Sequence, residues 1–428
     1  MTLDDGSLRA WSDRLTQATA RVNDSFPGER PDRQPVHTVY GGAQLFGADT
    51  AHRLGATALE FAAEWVPDAE TLAEILDLEI GLAERVLPAV VDKLEREPVE
   101  DFRIDFEDGY GNRPDSEEDA HATSVAQEVA AGLQSGSLPP FIGIRVKSMT
   151  GELHRRALRT LDLFITTTVE TAGRLPDGFV VTLPKIQDVD QVLVTTEALA
   201  ELEDALGIET IPMELMVETP QMVFDSDGSG GVRKWVEAAG GRVRGAHFGT
   251  YDYTASLNIT AAYQTMDHPA CDFARHAQQV SLAGTGVWIS DGATNVMPVG
   301  EDPDVVRGAM RLHHHHIRHS LSHGYYQGWD LHPAQLVTRY ATVYAFFFEG
   351  LDAAGERLSN FVESAAKATL VGDVFDDAAT GQGLLNYFLR AINCGAITEA
   401  DATDRTGLTV EELRTRSFVR ILEGRRPG

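Results

Sequence analysis

A single recurrence governs this sequence. Polar residues closing short apolar runs, namely Asp105, Arg145, Lys185, Glu218, Asp252, Asp291 and His332, follow one another at steps of 33 to 41 residues. Each run is rich in β-branched and aliphatic residues, and each is followed by an amphipathic helical stretch. A strand with its crossover helix needs a step of that size. Strands are expected near 36–40, 102–106, 141–146, 178–183, 213–217, 245–249, 286–290 and 325–331. Eight strands, each trailed by a helix, are the parts of a closed (β/α)8 TIM barrel. The longer first interval leaves room for two helices, over 51–65 and 68–95. A doubly wound open sheet competes, but no Gly-x-Gly-x-x-Gly follows an early strand, and the barrel is preferred.

The alternation ends after Gly350. Helices are expected over 335–348, 351–370, 381–393 and 410–422, and one more over 8–22 at the other end. The organisation is therefore an N-terminal helical segment over 1–30, a barrel over 31–349 and a C-terminal helical extension or lid over 350–428. Apolar residues at 43% and charged residues at 24% of 428 exclude wholesale disorder. A net charge of −29 repels phosphate backbones and anionic lipid, so nucleic-acid and membrane partners are not expected. Cys271 and Cys394 match no metal or redox spacing, the first residues lack a signal-peptide pattern, and no apolar run approaches ~20 residues. A cytoplasmic setting fits, and a homo-oligomer is expected.

Barrels of this kind draw their chemistry from the C-terminal ends of strands. Glu218 and Asp252 end neighbouring apolar strands, with no cysteine or histidine beside them at those ends. Two such carboxylates suit Mg2+ or Mn2+, and the competing reading is that they cap the helices that follow. Arg145 can grip a substrate carboxylate with two parallel hydrogen bonds, or pair with Asp105 and Glu107. The period of two puts Asp105 and Glu107 on one face and Asp108 on the other. Lys185 could form a Schiff base if it were neutral, although nearby acids would keep it protonated. His315, His319 and His323, four residues apart, form either a transition-metal stripe or a solvated face on the outside of the barrel.

Six of these segments carry a resemblance. Asp105-Phe-Glu-Asp-Gly, Ile144-Arg-Val-Lys-Ser, Leu183-Pro-Lys-Ile, Met216-Val-Glu-Thr-Pro, His247-Phe-Gly-Thr-Tyr-Asp and Leu331-His-Pro-Ala-Gln-Leu resemble, in order, strand-end motifs of the HpcH/HpaI aldolase and citrate lyase β-subunit superfamily. The resemblance implies a (β/α)8 barrel in which a divalent cation, usually Mg2+, stabilises an enolate while a carbon–carbon bond breaks or forms. It places metal ligation on Glu218 and Asp252, substrate binding on Arg145, and the acidic motif on Asp105, Glu107 and Asp108. Asp105, Glu107 and Lys185 join Arg145 in the substrate-binding set, and Arg145 is a catalytic candidate as well. The chain also resembles malate synthase more distantly, which implies a catalytic aspartate in the C-terminal helices. Asp377 is the candidate base, with a helix cap as its other reading; His37 and a metal-activated water are the alternatives. One departure is Val39-Tyr-Gly-Gly-Ala-Gln-Leu-Phe, where the family carries Pro-Gly and an arginine, and it weakens the expectation of acyl-coenzyme A. The expected function is a Mg2+-dependent carbon–carbon lyase or condensing enzyme for a small oxo acid or acyl thioester. The alternatives are a Schiff-base aldolase using Lys185 and a non-catalytic metabolite-binding barrel.

Overall fold

The computed structural model describes residues 3–30, 32–367, 378–415 and 418–425. Its strands are β1 (His37–Gly42), β2 (Asp101–Asp105), β3 (Phe141–Arg145), β4 (Phe179–Leu183), β5 (Met213–Val217), β6 (Val243–Phe248), β7 (Trp288–Ser290) and β8 (Gly328–Asp330). All neighbours pair in parallel, in the order β7-β6-β5-β4-β3-β2-β1-β8. The seam between β7 and β8 is closed by Trp329 N–H to the Gly292 carbonyl at 3.1 Å and Asp291 N–H to the Gln327 carbonyl at 2.9 Å. The expected (β/α)8 barrel is therefore present.

Helix α1 (Asp5–Ser25) starts at the Asp4 cap and buries no residue. Between β1 and β2 lie three helices rather than the expected two: α2 (Thr50–Trp65), α3 (Ala69–Leu76) and α4 (Ile80–Arg96). Asp77 makes the extra break by entering the left-handed region at φ 54°. Helices α5 (Asp115–Ser135), α6 (His154–Ala172) and α7 (Val189–Leu206) follow β2, β3 and β4. After β5 come α8 (Pro220–Val223) and α9 (Gly231–Ala238), and after β6 come α10 (Thr250–Ser256) and α11 (Pro269–Leu282). Helix α12 (Pro303–Ser322) links β7 to β8.

Helix α13 (Pro333–Lys367) runs for 35 residues straight across the expected break at Gly350. A mid-helix glycine costs only about 1 kcal/mol, and this one admits a neighbour. A Cβ at Gly350 would lie 3.0 Å from the Tyr387 hydroxyl of α14 (Ala378–Asn393). The tail thus continues the barrel's last helix, and α15 (Glu399–Thr406), α16 (Val410–Arg414) and α17 (Phe418–Arg425) complete it. Among the described residues no helix is long and apolar enough to cross a membrane.

The apolar core lies mainly between strands and helices. Inside the barrel the layer beneath the mouth is ionic. Arg103 Nη2 pairs with Asp101 at 2.8 Å and Glu214 at 2.9 Å. Thr182 donates to Glu214 at 2.9 Å, and Trp329 Nε1 donates to His247 Nδ1 at 3.0 Å. Gly143 makes room, because a Cβ there would meet Arg103 Nη1 at 2.2 Å. Tyr40 and Trp329 stack above this layer with ring centroids 4.3 Å apart and form the floor of the mouth.

Candidate active site at the barrel mouth

Arg145 ends β3 directly over that floor, its guanidinium 4.9 Å from the Tyr40 ring and 5.9 Å from Trp329. Nε and Nη2 donate to the two oxygens of Asp105 at 2.7 and 2.6 Å, a bidentate pair, and Nη1 lies 3.4 Å from Glu107. Asp105 also accepts from the Glu107 and Gly109 N–H groups at 3.0 and 2.7 Å. Its carboxylate is saturated and acts here as the support of Arg145. Burial opposes the arginine's charge, but Asp105 and Glu107 outweigh it, and the aromatic faces favour a cation there.

The period of two does not carry past Asp105, because β2 ends there and the chain turns. Glu107 and Asp108 consequently face the same way, and both bind the Lys185 ammonium. Lys185 Nζ donates to Glu107 Oε1 and, at 2.9 and 3.0 Å, to Asp108; Asp252 Oδ2 lies 3.8 Å away. Burial opposes the lysine's charge, but Glu107, Asp108 and Asp252 outweigh it and raise its affinity for the proton. A Schiff-base nucleophile needs the reverse, a neutral amine, so this environment disfavours that alternative.

Lys185 has a second role through its backbone. It is one of three non-glycine residues with positive φ among those described, at 51°, directly after Leu183-Pro184. Its N–H meets Glu218 Oε1 at 2.6 Å. Glu218 is 2% exposed, and Gly249 is what admits it, since a Cβ there would lie 2.4 Å from Glu218 Oε2. The helix-cap reading of Glu218 fails. Thr219 takes that position, accepting from the Met222 N–H at 3.3 Å at the head of α8. Burial pushes the Glu218 carboxyl up, the neighbouring Asp252 adds to it, and the result is about 8. Asp252 stands in the first turn of α10 and is itself raised, by burial first and then by Asp108, with Lys185 working against the rise.

The mouth therefore gathers Asp105, Glu107, Asp108, Glu218 and Asp252 against two cations, Arg145 and Lys185. Arg145 is spent on Asp105, Lys185 is shared three ways, and what reaches Glu218 and Asp252 from the two cations does not overcome their burial and repulsion. Hard carboxylate oxygens with raised proton affinity and no histidine or thiol among them fit Mg2+ or Mn2+. All residues placed here by sequence, Arg145, Asp105, Glu107, Lys185, Glu218 and Asp252, thus converge on one mouth. Tyr40, Trp329 and Gly249 belong to the same assembly and were not anticipated. Gly249 had a legible signal, a glycine at a strand end; the aromatic floor had none, because its two members lie 289 positions apart.

Two expectations fall elsewhere. His37 opens β1 at the far end of the barrel, where Nδ1 meets Asp330 at 2.9 Å and Nε2 accepts from the Glu100 N–H at 3.1 Å. With both nitrogens engaged and no exposure, it cannot serve as the base at the mouth. Asp377 lies outside the described residues. The solvated-face reading of the stripe His315, His319 and His323 holds for His315, which is exposed, while His319 and His323 are half-buried; the histidine run that includes His315 is 313–316. His313 and His316 are buried against Asp330 and Thr294, His314 bonds Thr342, and His315 alone of that run is exposed. Four consecutive residues encircle a helix, and α12 has neighbours on several sides.

Comparison with known proteins bears on the fold. No curated protein matches the sequence. A citrate lyase from Burkholderia xenovorans LB400 is 19% identical with a TM-score of 0.57, covering 88% of this chain and 98% of its own. A malate synthase of Haloferax volcanii in a magnesium/glyoxylate complex is 15% identical, TM-score 0.48, over 90% of this chain and 98% of its own. CitE from Mycobacterium tuberculosis, in complex with magnesium and acetate, is 14% identical, TM-score 0.39, over 72% and 90%. At 19% identity the first of these likenesses shows the fold alone, the barrel with its C-terminal helices. A family model described as "Domain of unknown function (DUF6986)" matches residues 15–421, nearly the whole chain, and the protein belongs to that family.

Proposed function

We propose that this protein is a Mg2+- or Mn2+-dependent carbon–carbon lyase or condensing enzyme acting on a small oxo acid or acyl thioester. The observation that carries the reading is the carboxylate pair at the mouth of the barrel, Glu218 buried and bonded to the Lys185 N–H and Asp252 in the first turn of α10, with burial and Asp252 raising the Glu218 carboxyl. Perturbed carboxylates of this kind mark sites built for a charge the protein alone does not supply. Glu218 and Asp252 would hold the cation. When bound, it supplies Lewis-acid stabilisation of negative charge developing on a substrate oxygen.

The chain's own groups do the rest. Asp105 fixes Arg145 on the Tyr40–Trp329 floor, so a positive charge is oriented before any substrate arrives. Lys185 is the more adaptable cation, since its ammonium can leave Asp108 for an incoming carboxylate or oxyanion. Together with a bound divalent cation they would largely offset the carboxylates of the mouth, which is what an anionic substrate needs in a strongly acidic protein. Asp377 is the candidate base that would deliver or remove a proton. A cytoplasmic homo-oligomer is part of the same reading.

The test is a melting screen of oxo acids and acyl thioesters with and without Mg2+, followed by turnover assays. Stabilisation that needs metal and ligand together is expected. Glu218→Gln and Asp252→Asn should each lower turnover by about 10²-fold or more, as loss of a preorganised electrostatic group does, while the far-UV spectrum stays unchanged. Wild-type turnover of both variants in chelator-treated protein would overturn the proposal.

A further inference from the structure

The histidines that the mouth does not use are not idle. His319 in the last turn of α12 and His323, the residue that caps it, are four residues apart, half-buried and turned toward α11. His319 Nε2 meets Asp272 Oδ1 at 2.8 Å, and the His319 and His323 rings are 4.3 Å apart. One ligand atom each from Asp272, His319 and His323 falls within 4.8 Å of the others. His276, one turn beyond Asp272 on α11, brings its ring within 5.6 Å of His323. Two facing helices thus each offer an i, i+4 pair.

We infer that Asp272, His319 and His323, completed by His276, form a second metal site on the outer surface of the barrel that takes a borderline divalent ion such as Zn2+. Imidazole nitrogens with one carboxylate are the donor set of zinc, not of magnesium. Ligand atoms sharing one Zn2+ lie about 3.4 Å apart when each bond is about 2.1 Å, so side-chain shifts of about an ångström close the cluster. His323 Nδ1 bonds the His319 carbonyl at 2.8 Å, which fixes its proton there and leaves the Nε2 lone pair free. Between His319 Nε2 and Asp272 Oδ1 one proton is held, and the metal takes its place, both atoms becoming ligands.

The frame is already rigid. Asp291, just beyond β7, accepts from Arg275 of α11 at 3.0 Å and from Ser320 of α12 at 2.6 Å. Both helices are therefore pinned next to their ligand positions before a metal arrives. Arg275 also donates to Asp272 at 2.5 Å and competes for it, which keeps the affinity below that of a dedicated structural zinc centre. An ion here clamps α11 to α12.

The experiment uses the full chain with Glu218→Gln and Asp252→Asn installed, so that the mouth cannot bind. After chelator treatment, Zn2+ is titrated by calorimetry and melting, and Co2+ by visible absorption. One equivalent of Zn2+ with a rise in Tm, and an intense tetrahedral Co2+ spectrum, are expected. His319→Gln with His323→Gln should weaken Zn2+ on the order of 100-fold, and His276→Gln about 10-fold, the range reported for lost metal-site partners. Unchanged Zn2+ affinity in the His319→Gln/His323→Gln chain, or a weak six-coordinate Co2+ spectrum in the parent, would overturn the inference. The Co2+ arm decides even if the double histidine variant does not fold.

Discussion

Two buried carboxylates near the ends of barrel strands show how differently the same burial can end. Asp330 closes β8 with no exposure, and Glu218 follows β5 at 2%. Around Asp330 stand Arg339, with contacts of 2.9 to 3.2 Å to both oxygens, His37 at 2.9 Å and His313 at 3.2 Å. Burial alone would raise its proton affinity, but Arg339, His313 and His37 hold it well below the usual carboxylate range. Glu218 receives one backbone N–H and a like charge from Asp252, and it is pushed to about 8. Burial is common to both, so it is the matching of charge that separates a structural carboxylate from a site.

The sharpest way to break that contrast is to delete each group. Asp330→Ala strands an arginine and two histidines in the interior and should lose about 3–5 kcal/mol of stability, the range for breaking a buried pair from one side. Glu218→Gln keeps the shape and mimics the neutral carboxyl that prevails in the fold below about 8, so it should cost little. Urea unfolding of both variants at neutral pH without divalent ions measures the difference. Similar losses would mean that Glu218 has a partner the contacts do not reveal.

The second effect is in pH. Glu218 is raised from its ordinary 4.5 to about 8. Below 4.5 both folded and unfolded chains hold the proton, and nothing is gained or lost. Between 4.5 and 8 the unfolded chain releases it while the fold retains it, so stability falls by up to about 1.4 kcal/mol per pH unit. Above 8 the deficit is constant. Metal-free wild type should therefore lose Tm relative to Glu218→Gln as pH rises through this window, and saturating Mg2+ should remove the gap. Parallel Tm curves for the two proteins would refute the assignment.

These contrasts also show what the sequence made legible. The strand ends were readable because βα steps are regular and because polar residues closing apolar runs have few places to go. Arg145, Lys185, Glu218 and Asp252 were found by that rule. Their partners were harder. Asp105 had two readings, substrate ligand and partner of Arg145; the second is present as a bidentate pair across adjacent strands, and register rather than local pattern sets it. Gly350 looked like a boundary, yet tertiary contact with Tyr387 overrides a modest helix penalty. His37 looked like a base, and only the closed barrel shows that it lies at the wrong end.

Lys185 sharpens the comparison from the side of the cation. Its ammonium stands 3.8 Å from Asp252 and would compete with a metal for that carboxylate. Lys185→Met keeps the length of the side chain and removes the ammonium. Mg2+ should bind about tenfold more tightly, equivalent to about 1.4 kcal/mol, while turnover falls because the substrate loses a cationic contact. Weaker Mg2+ binding in this variant would make the lysine a support of the metal site instead of its rival.

The smallest change tests the pair itself. Asp252 is 42% exposed at its side chain, so Asp252→Asn should alter stability by less than about 1 kcal/mol. Its effect should appear instead on its neighbour. With the like charge gone, Glu218 loses one of the two causes that raise it, and its titration should move down from about 8 toward the ordinary range, though burial keeps it above 4.5. The pH window over which Glu218→Gln outperforms its parent must then narrow from the alkaline side when both are compared in the Asp252→Asn background. Carboxyl 13C shifts followed against pH read the same midpoint directly. If that midpoint stays where it is, the two carboxylates do not share a field, and they have no common charge for a divalent cation to neutralise.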